Sequence, residues 1–379
     1  MHIAIVIPHF GAGGAERVAS LLCNCWASLG HSVTAITFEA PGIESFFALD
    51  AVVERRQLNG LNCKASAFRR VVTNLRRVWR VRSALKAIGP DIVVAFMIEA
   101  SVVTVCAAAG LGLPVVVTER NQPHRQGLGR FRRIARRLTY RWASAIIVQT
   151  SDIARWARSR FPVPVYVLPN PVTNSHIREH RDTPLTKLAV SVGRLAHQKG
   201  FDLLIESFAR VAAKHPSWRL VIYGEGPARR ELQAQIDRWG ISDRTCLAGL
   251  FTDLGSAIGA ADLFVSASRF EGYPNALLEA LSFGCPVIAT DCPGATAEIL
   301  DGGHYGLLVP PEKVEALTEA LHRMMSDADL RARYSKRAPE AVSHLGRVAI
   351  ARRWLEIFSS LKARPRVPRP SRRRMRANL

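Results

Sequence analysis

Between residues 263 and 290 the chain changes its hydrophobic period twice, and this limits what it can fold into. The apolar run LFVSA at 263–267 reads as a buried strand. A polar, glycine-bearing loop follows, from Arg269 to Tyr273. Pro274 then stands where a first helical turn tolerates proline. The next residues, 275–283, place Ala276, Leu277, Leu278, Ala280 and Leu281 at helical spacing. Gly284 ends that helix, and PVIAT at 286–290 is the next buried strand. Strand, loop, helix and strand in this order make the repeating unit of an α/β fold.

Two carboxylates flank the helix start, Glu271 in the loop and Glu279 about one turn into the helix. The first helical amides, at Asn275, Ala276 and Leu277, have no partner within the helix and suit a phosphate. A carboxylate on each side can hold hydroxyls of sugars attached to that phosphate. A capped helix with two solvated glutamates fits the same residues.

The pair of glutamates in EGYPNALLEALSFGCPVIAT resembles the signature of glycosyltransferase family 4, retaining enzymes of the GT-B fold that use nucleotide sugars. The likeness extends to VGRLAHQKGFDLLI (192–205), YGEGP (223–227) and GAGGAERV (11–18), in the family's order and over most of the chain. It implies an α/β architecture of two facing Rossmann-like domains with a cleft between them. The divisions expected are an acceptor-side domain at 1–170, a linker at 171–184 and a nucleotide-sugar domain at 185–345. A helix at 346–361 would cross back to the first domain, and 362–379 would be a basic, disordered tail.

The resemblance also implies roles. Arg194 and Lys199 are natural counter-charges for a departing diphosphate, helped by the amides of Asn275, Ala276 and Leu277. Glu279 would hold the ribose hydroxyls, and Glu271 would hold and orient the donor sugar. Gly13 and Gly14 would approach the donor from the opposite domain. Gly224, Gly226 and Phe251 are the candidates for the base pocket. The departing phosphate would take the acceptor's proton on the same face of the sugar, with no enzyme nucleophile, cofactor or metal. Uridine is the base that the family suggests.

The first strand, loop and helix form a glycine-rich β-α-β unit, so a dinucleotide site must be weighed. That fingerprint wants glycine at position 16, where this chain has Glu16, although Glu39 stands near the place of the ribose-binding acid. A negative side chain there would repel a pyrophosphate. The N-terminus lacks a basic region and a cleavage signature, which argues against a signal peptide. The stretch 100–117 is interrupted by Ser101, Thr104, Gly110, Gly112 and Pro114, so a helix, turn and strand are expected rather than a membrane span.

Net charge sets the partner class. The 379 residues carry a formal charge of +21, which calls for an anionic partner: nucleic acid, anionic lipid or a phosphorylated substrate. Seven dispersed cysteines without a C-x-x-C pair suggest free thiols in a reducing compartment. No acid occurs between Glu54 and Asp91. On a helical wheel Arg69, Arg70, Arg76, Arg77 and Arg80 fall on one side, while Phe68, Val71, Val72, Leu75, Val78, Trp79 and Leu85 fall on the other; Arg82 and Lys86 break the pattern near the end. A second basic amphipathic helix is expected at 127–142, with Phe131, Ile134, Leu138 and Trp142 as its apolar partners. A solvated basic face, contact with anionic lipid or a lipid-linked pyrophosphate, and nucleic-acid binding all fit these helices. Arg69, Arg76 and Arg80 are the candidates for lipid or acceptor contact.

The polar loop after the strand at 114–118 offers Glu119, Arg120 and Asn121 as acceptor candidates. Relatives place a histidine there, near the sugar; this chain has Arg120, with His124 four residues on. The H-x-x-E-H run at 176–180 lacks the apolar helix of a zinc protease, and Asp327 and Asp329 read as helix-start acids. The resemblance implies a hexosyl- or N-acetylhexosaminyl-transferase, and the stretches IPHFGAGGAERV and VTERNQP look like those of bacterial enzymes that extend lipid-linked saccharides. The enzyme would act on a polyprenyl-diphosphate-linked saccharide at the cytoplasmic face of a bacterial inner membrane, without nucleic acid. A GT-B nucleotide-sugar epimerase and a basic nucleic-acid-binding protein with a nucleotide fold are the rival classes.

Overall fold

The computed structural model describes residues 1–60, 67–123, 127, 129–173, 187–251 and 253–363. His124, most of the expected linker with its H-x-x-E-H run, and the tail from residue 364 lie outside the described residues. The first half is a seven-stranded sheet of β1 (His2–Ile7), β2 (Ser32–Thr37), β3 (Glu54–Gln57), β4 (Ile92–Ala95), β5 (Val115–Glu119), β6 (Ala145–Val148) and β7 (Val165–Val167). Its helices are α1 (Gly14–Ser28), α2 (Ala67–Ile88), α3 (Ile98–Ala108), α4 (Arg130–Thr139) and α5 (Ser151–Arg158). The second half has β8 (Lys187–Val192), β9 (Trp218–Tyr223), β10 (Thr245–Gly249), β11 (Leu263–Ser266), β12 (Val287–Thr290) and β13 (Leu307–Val309). With them run α6 (Phe201–Ala212), α7 (Arg229–Arg238), α8 (Leu254–Gly259), α9 (Asn275–Ser282), α10 (Thr296–Ile299), α11 (Val314–Ser326), α12 (Ala328–Arg337) and α13 (Arg347–Ala363).

Both sheets are parallel throughout. Their strand orders are β3-β2-β1-β4-β5-β6-β7 and β10-β9-β8-β11-β12-β13. Each sheet therefore reverses direction once, between β1 and β4 and between β8 and β11. Strands such as β1, β4 and β12 are buried along almost their whole length, as sheets covered by helices on both faces require. A crevice opens at the carboxyl edge of such a reversal, and open α/β sheets bind ligands there. The loops after β1, β8 and β11, which hold most of the sequence-derived candidates, all leave from those edges.

The chain passes between halves at Val172, whose amide donates to the Leu345 carbonyl as the chain returns. From there α13 packs on α1 in the first half. Trp26 lies against Trp354 and Phe358 at ring separations of 5.9 and 5.4 Å, and Phe96 stacks on Trp354 at 6.2 Å. The Trp26 indole N–H donates to the Ala351 carbonyl. Asp327 caps α12 by accepting from the Leu330 amide, so the D-x-D stretch has a helix-start role.

The wheel's apolar side meets the core only in part on α2, and α4 is turned the other way round. On α2, Leu85 is buried and Val78 packs on the core as the wheel has it, but Leu75 and Trp79 are exposed, while Arg77 donates to the Gly60 carbonyl and Arg80 to those of Leu58 and Asn59. On α4, Phe131, Ile134 and Leu138 face outward, with Trp142 just beyond, and the one buried side chain is Arg136. A helical period separates two faces but does not say which one meets the core. On α4 the inward face is set by a buried carboxylate that needs a cation; on α2 apolar residues still turn inward, and two arginines reach backbone carbonyls beside them. Both helices pack on α3, and Glu99 of α3 lies near Arg77 while pairing with Arg132, so one mixed apolar and basic surface results.

Candidate active site between the two sheets

The loop after β11 carries the most connected carboxylate. Glu271 is 5% exposed and accepts from the Lys199 ammonium and the Ser268 hydroxyl, both at 2.6 Å. Lys199 arrives on the turn after β8, just before Gly200 and α6. Arg194, on the same turn, is exposed. These two cations and Glu271 therefore share one sheet edge, with Arg194 reaching outward from it. A second arginine of the loop, Arg269, is used structurally: it grips Asp202 with two guanidinium nitrogens at 2.6 and 2.8 Å.

α9 begins directly after this loop. Pro274 is its cap residue and offers no side-chain cap, which leaves the amides of Asn275, Ala276 and Leu277 at the amino end. The Leu277 side chain is in the core. One turn on, Glu279 is 5% exposed, and burial pushes its carboxyl up to about 7 against the pull of Arg17. Arg17 comes from α1 of the first half, its Nε 2.5 Å from Glu279 Oε1. Glu279 Oε2 is buried and has no hydrogen-bond partner among the described residues.

The first half closes over this edge through backbone. A Cβ on Gly14 would lie 2.8 Å from the Asn275 Nδ2, which donates to the Gly14 carbonyl at 2.9 Å. Asn275 Oδ1 in turn accepts from Asn170 at 2.5 Å, and Asn170 accepts from Arg120. A Cβ on Gly272 would lie 2.5 Å from the Arg120 carbonyl oxygen, so the acceptor-candidate loop meets the Glu271 loop directly. Gly13 is covered by its own helix: the Glu16 carboxylate folds back to where a Cβ would be. Burial raises the Glu16 carboxyl, opposed by His9 and Arg120.

Other candidates take more local positions. Glu119 is 1% exposed and faces inward to Arg136 at 3.1 Å, not into the crevice. Burial lifts it to about 7 in spite of that cation. Arg120 stacks on Phe96 at 4.8 Å, and burial lowers its guanidinium to about 9, Glu16 resisting. Asn121 is exposed at the rim. Gly224 and Gly226 let the turn after β9 pack on the turn after β8: a Cβ on either would meet the carbonyl oxygen of Gly193 or Leu195. Phe251 is exposed and leans on Tyr223 at 5.5 Å. Glu39 accepts from the Phe10 amide, which closes the loop rather than waiting for a ribose. Arg76 is exposed, Arg80 is committed to carbonyls as described, and the Arg69 side chain lies outside the description. Arg17, Asn170 and Ser268 belong to the site yet carry no signal of their own. Arg17 follows the glycine loop, but its partner stands 262 positions away.

Comparison with known proteins places both halves. The family profile "Glycosyl transferases group 1" matches residues 174–341, and "Glycosyl transferase 4-like domain" matches 13–171. An exopolysaccharide phosphotransferase of Streptomyces coelicolor is 32% identical over 59% of this chain, which spans 24% of that protein's length. A Campylobacter jejuni alpha-1,4-N-acetyl-D-galactosaminyltransferase, named for a PP-undecaprenol-linked acceptor, is 25% identical over 96% of this chain and 99% of its own. Sucrose-phosphate synthase of Thermosynechococcus elongatus superposes with a TM-score of 0.83 at 19% identity, covering 96% of this chain and 99% of its own. Anabaena HepE, in complex with UDP and glucose, gives 0.76 at 19% identity over 94% and 99%. The structural likeness shows a shared two-sheet fold.

Proposed function

We propose that this chain, which belongs to the glycosyltransferases of the GT-B fold, moves a sugar from a nucleoside diphosphate sugar to a hydroxyl of a lipid-linked saccharide, retaining the anomeric configuration. The observation that carries the reading is the meeting of Lys199, Glu271 and the uncapped start of α9 at one sheet edge, with Gly14 and the Arg120 loop pressed against it. The diphosphate lies on the amides of Asn275, Ala276 and Leu277, and Lys199 and Arg194 neutralise the charge that grows as it leaves. Glu279 accepts from the ribose hydroxyls. Glu271, held by Lys199 and Ser268, accepts from the donor sugar and fixes its face toward the acceptor. The acceptor oxygen forms its bond to the anomeric carbon on the face the diphosphate leaves, and a phosphate oxygen takes its proton. Gly13 and Gly14 border the sugar, and Gly224, Gly226 and Phe251 border the base. UDP is the nucleotide of choice because HepE, of the same fold, was solved with it.

The lipid-linked acceptor draws its support from the Campylobacter relative's name and from the surface of α2 and α4. No helix among the described residues is long and apolar enough to cross a membrane. The exposed Trp79, Phe131 and Leu138 suit the headgroup boundary of a bilayer. Arg76, Arg133 and Arg137, exposed beside them, add attraction of about 1 kcal/mol each toward anionic lipid. On this reading the protein works peripherally at the cytoplasmic face of a bacterial membrane.

The test is release of nucleoside diphosphate from a panel of sugar donors, with and without polyprenyl-diphosphate saccharides, for the parent chain and Glu271→Gln. One donor should be turned over, the lipid-linked acceptor should be required, and the variant should lose roughly 100-fold in kcat. Turnover of a nucleotide sugar without an acceptor would mean an epimerase. No turnover, together with tight nucleic-acid binding that falls steeply with salt, would mean the charge serves another partner.

A further inference from the structure

Arg17 lies against Glu279, the carboxylate to which the proposed function gives the ribose. Its Nε is 2.5 Å from Glu279, its guanidinium rests on the Phe47 ring at 5.4 Å, and its charge also reaches Asp253. Phe47 belongs to the first half; Glu279 and Asp253 belong to the second. The Glu279 side chain is 7% exposed, and Arg17, itself 16% exposed, is its charged cover. The other carboxylate oxygen of Glu279 is buried without a partner among the described residues. The same seam carries a second polar bridge, from Gly14 through Asn275 to Asn170 and Arg120.

We propose that Arg17 is a clasp: it closes the two halves on each other by holding Glu279, and the ribose of the donor must displace it to bind. Donor entry then exchanges an ion pair on Glu279 for hydrogen bonds: Arg17 Nε, like Glu279 Oε2, is buried without a hydrogen-bond partner among the described residues. The guanidinium leaves the carboxylate, the vicinal hydroxyls take its place, and no covalent bond changes. The inference rests on the reading that Glu279 accepts from ribose. It adds a competitor from the opposite half, which makes donor affinity depend on how firmly the halves are closed. A clasp shut for roughly nine-tenths of the time weakens apparent affinity by roughly ten-fold. Glycine 14 and glycine 272 permit the close approach, and Arg17 gives that approach a release.

The experiment is calorimetric titration of the parent, Arg17→Gln and Arg17→Lys with UDP and with GDP, alongside small-angle scattering of each free protein. Arg17→Gln should bind the accepted nucleotide roughly ten-fold more tightly and show a larger radius of gyration. Arg17→Lys, which keeps a cation, should stay near the parent. In a Glu279→Gln background, which opens the clasp from the other side, the Arg17→Gln change should add nothing to either readout. Weaker nucleotide binding by Arg17→Gln would overturn the proposal and make Arg17 a direct donor contact. Unchanged affinity with an unchanged radius would also overturn it. If the parent binds neither nucleotide, the donor reading itself fails, and the scattering comparison still decides whether Arg17 holds the halves together.

Discussion

Helix α4 is fastened through one side chain, and Arg136→Met should unfasten it. Of ten residues only Arg136 is buried; it reaches Glu119 at 3.1 Å and lies over the Trp156 ring at 4.6 Å. Removing one partner of a buried ion pair costs roughly 3–5 kcal/mol because the other charge is left stranded. Losing the cation–ring contact adds about 1 kcal/mol. A helix this short does not persist on its own propensity. The cost should therefore appear locally, as opening of α4, before it appears in the whole fold. Hydrogen exchange is the assay: amides of 130–139 should exchange about 1,000-fold faster, the factor that about 4 kcal/mol gives, while β1 and β4 keep their protection. The pair Glu119→Gln with Arg136→Met should recover most of the loss, since no charge then stays buried. Unchanged exchange in the single variant, or a double variant no better than the single, would refute the stranded-charge argument.

Two further outcomes follow from the same carboxylates and the same surface. Burial lifts Glu119 and Glu279 from 4.5 to about 7, so the folded chain binds more protons than the unfolded chain between those values. Stability should be fullest below pH 4.5 as far as these groups are concerned and fall as pH rises toward 7, by about 3 kcal/mol per carboxyl at most. Urea midpoints at pH 5 and pH 8 test this; a slope untouched by Glu119→Gln would exclude that residue as its source. On the membrane face, Trp79→Ser with Phe131→Ser should lower partitioning onto vesicles of anionic lipid roughly ten-fold and leave UDP affinity as in the parent. Equal binding to neutral and anionic vesicles, unaffected by these changes, would remove the face from the membrane.

The alternation of apolar runs and glycine-bearing loops made both sheets legible, because a buried parallel strand needs little beyond a short β-branched run. The order of loops at the sheet edges followed from that alternation. Glu271 and Glu279 were legible as a spaced pair; their partners were not. Lys199 stands 72 positions from Glu271, and Arg17 is further still from Glu279, so no local period links them. Arg136 and Arg80 show the limit from the other side. Composition counts an arginine as surface, but a buried carboxylate or a backbone carbonyl can hold it, and Trp79 and Phe131 face out on the same helices.

The return of α13 bears on how the chain is made. All seven strands of the first sheet have been synthesised by Val167, but Trp26 and Phe96 are sealed only when Trp354 and Phe358 arrive. At 5–20 residues per second a ribosome needs roughly 10–40 s to cover that interval. During it, the first half carries an open aromatic seam. Birth order and completion order thus run in opposite directions, and the half that begins to fold first is the last to be finished.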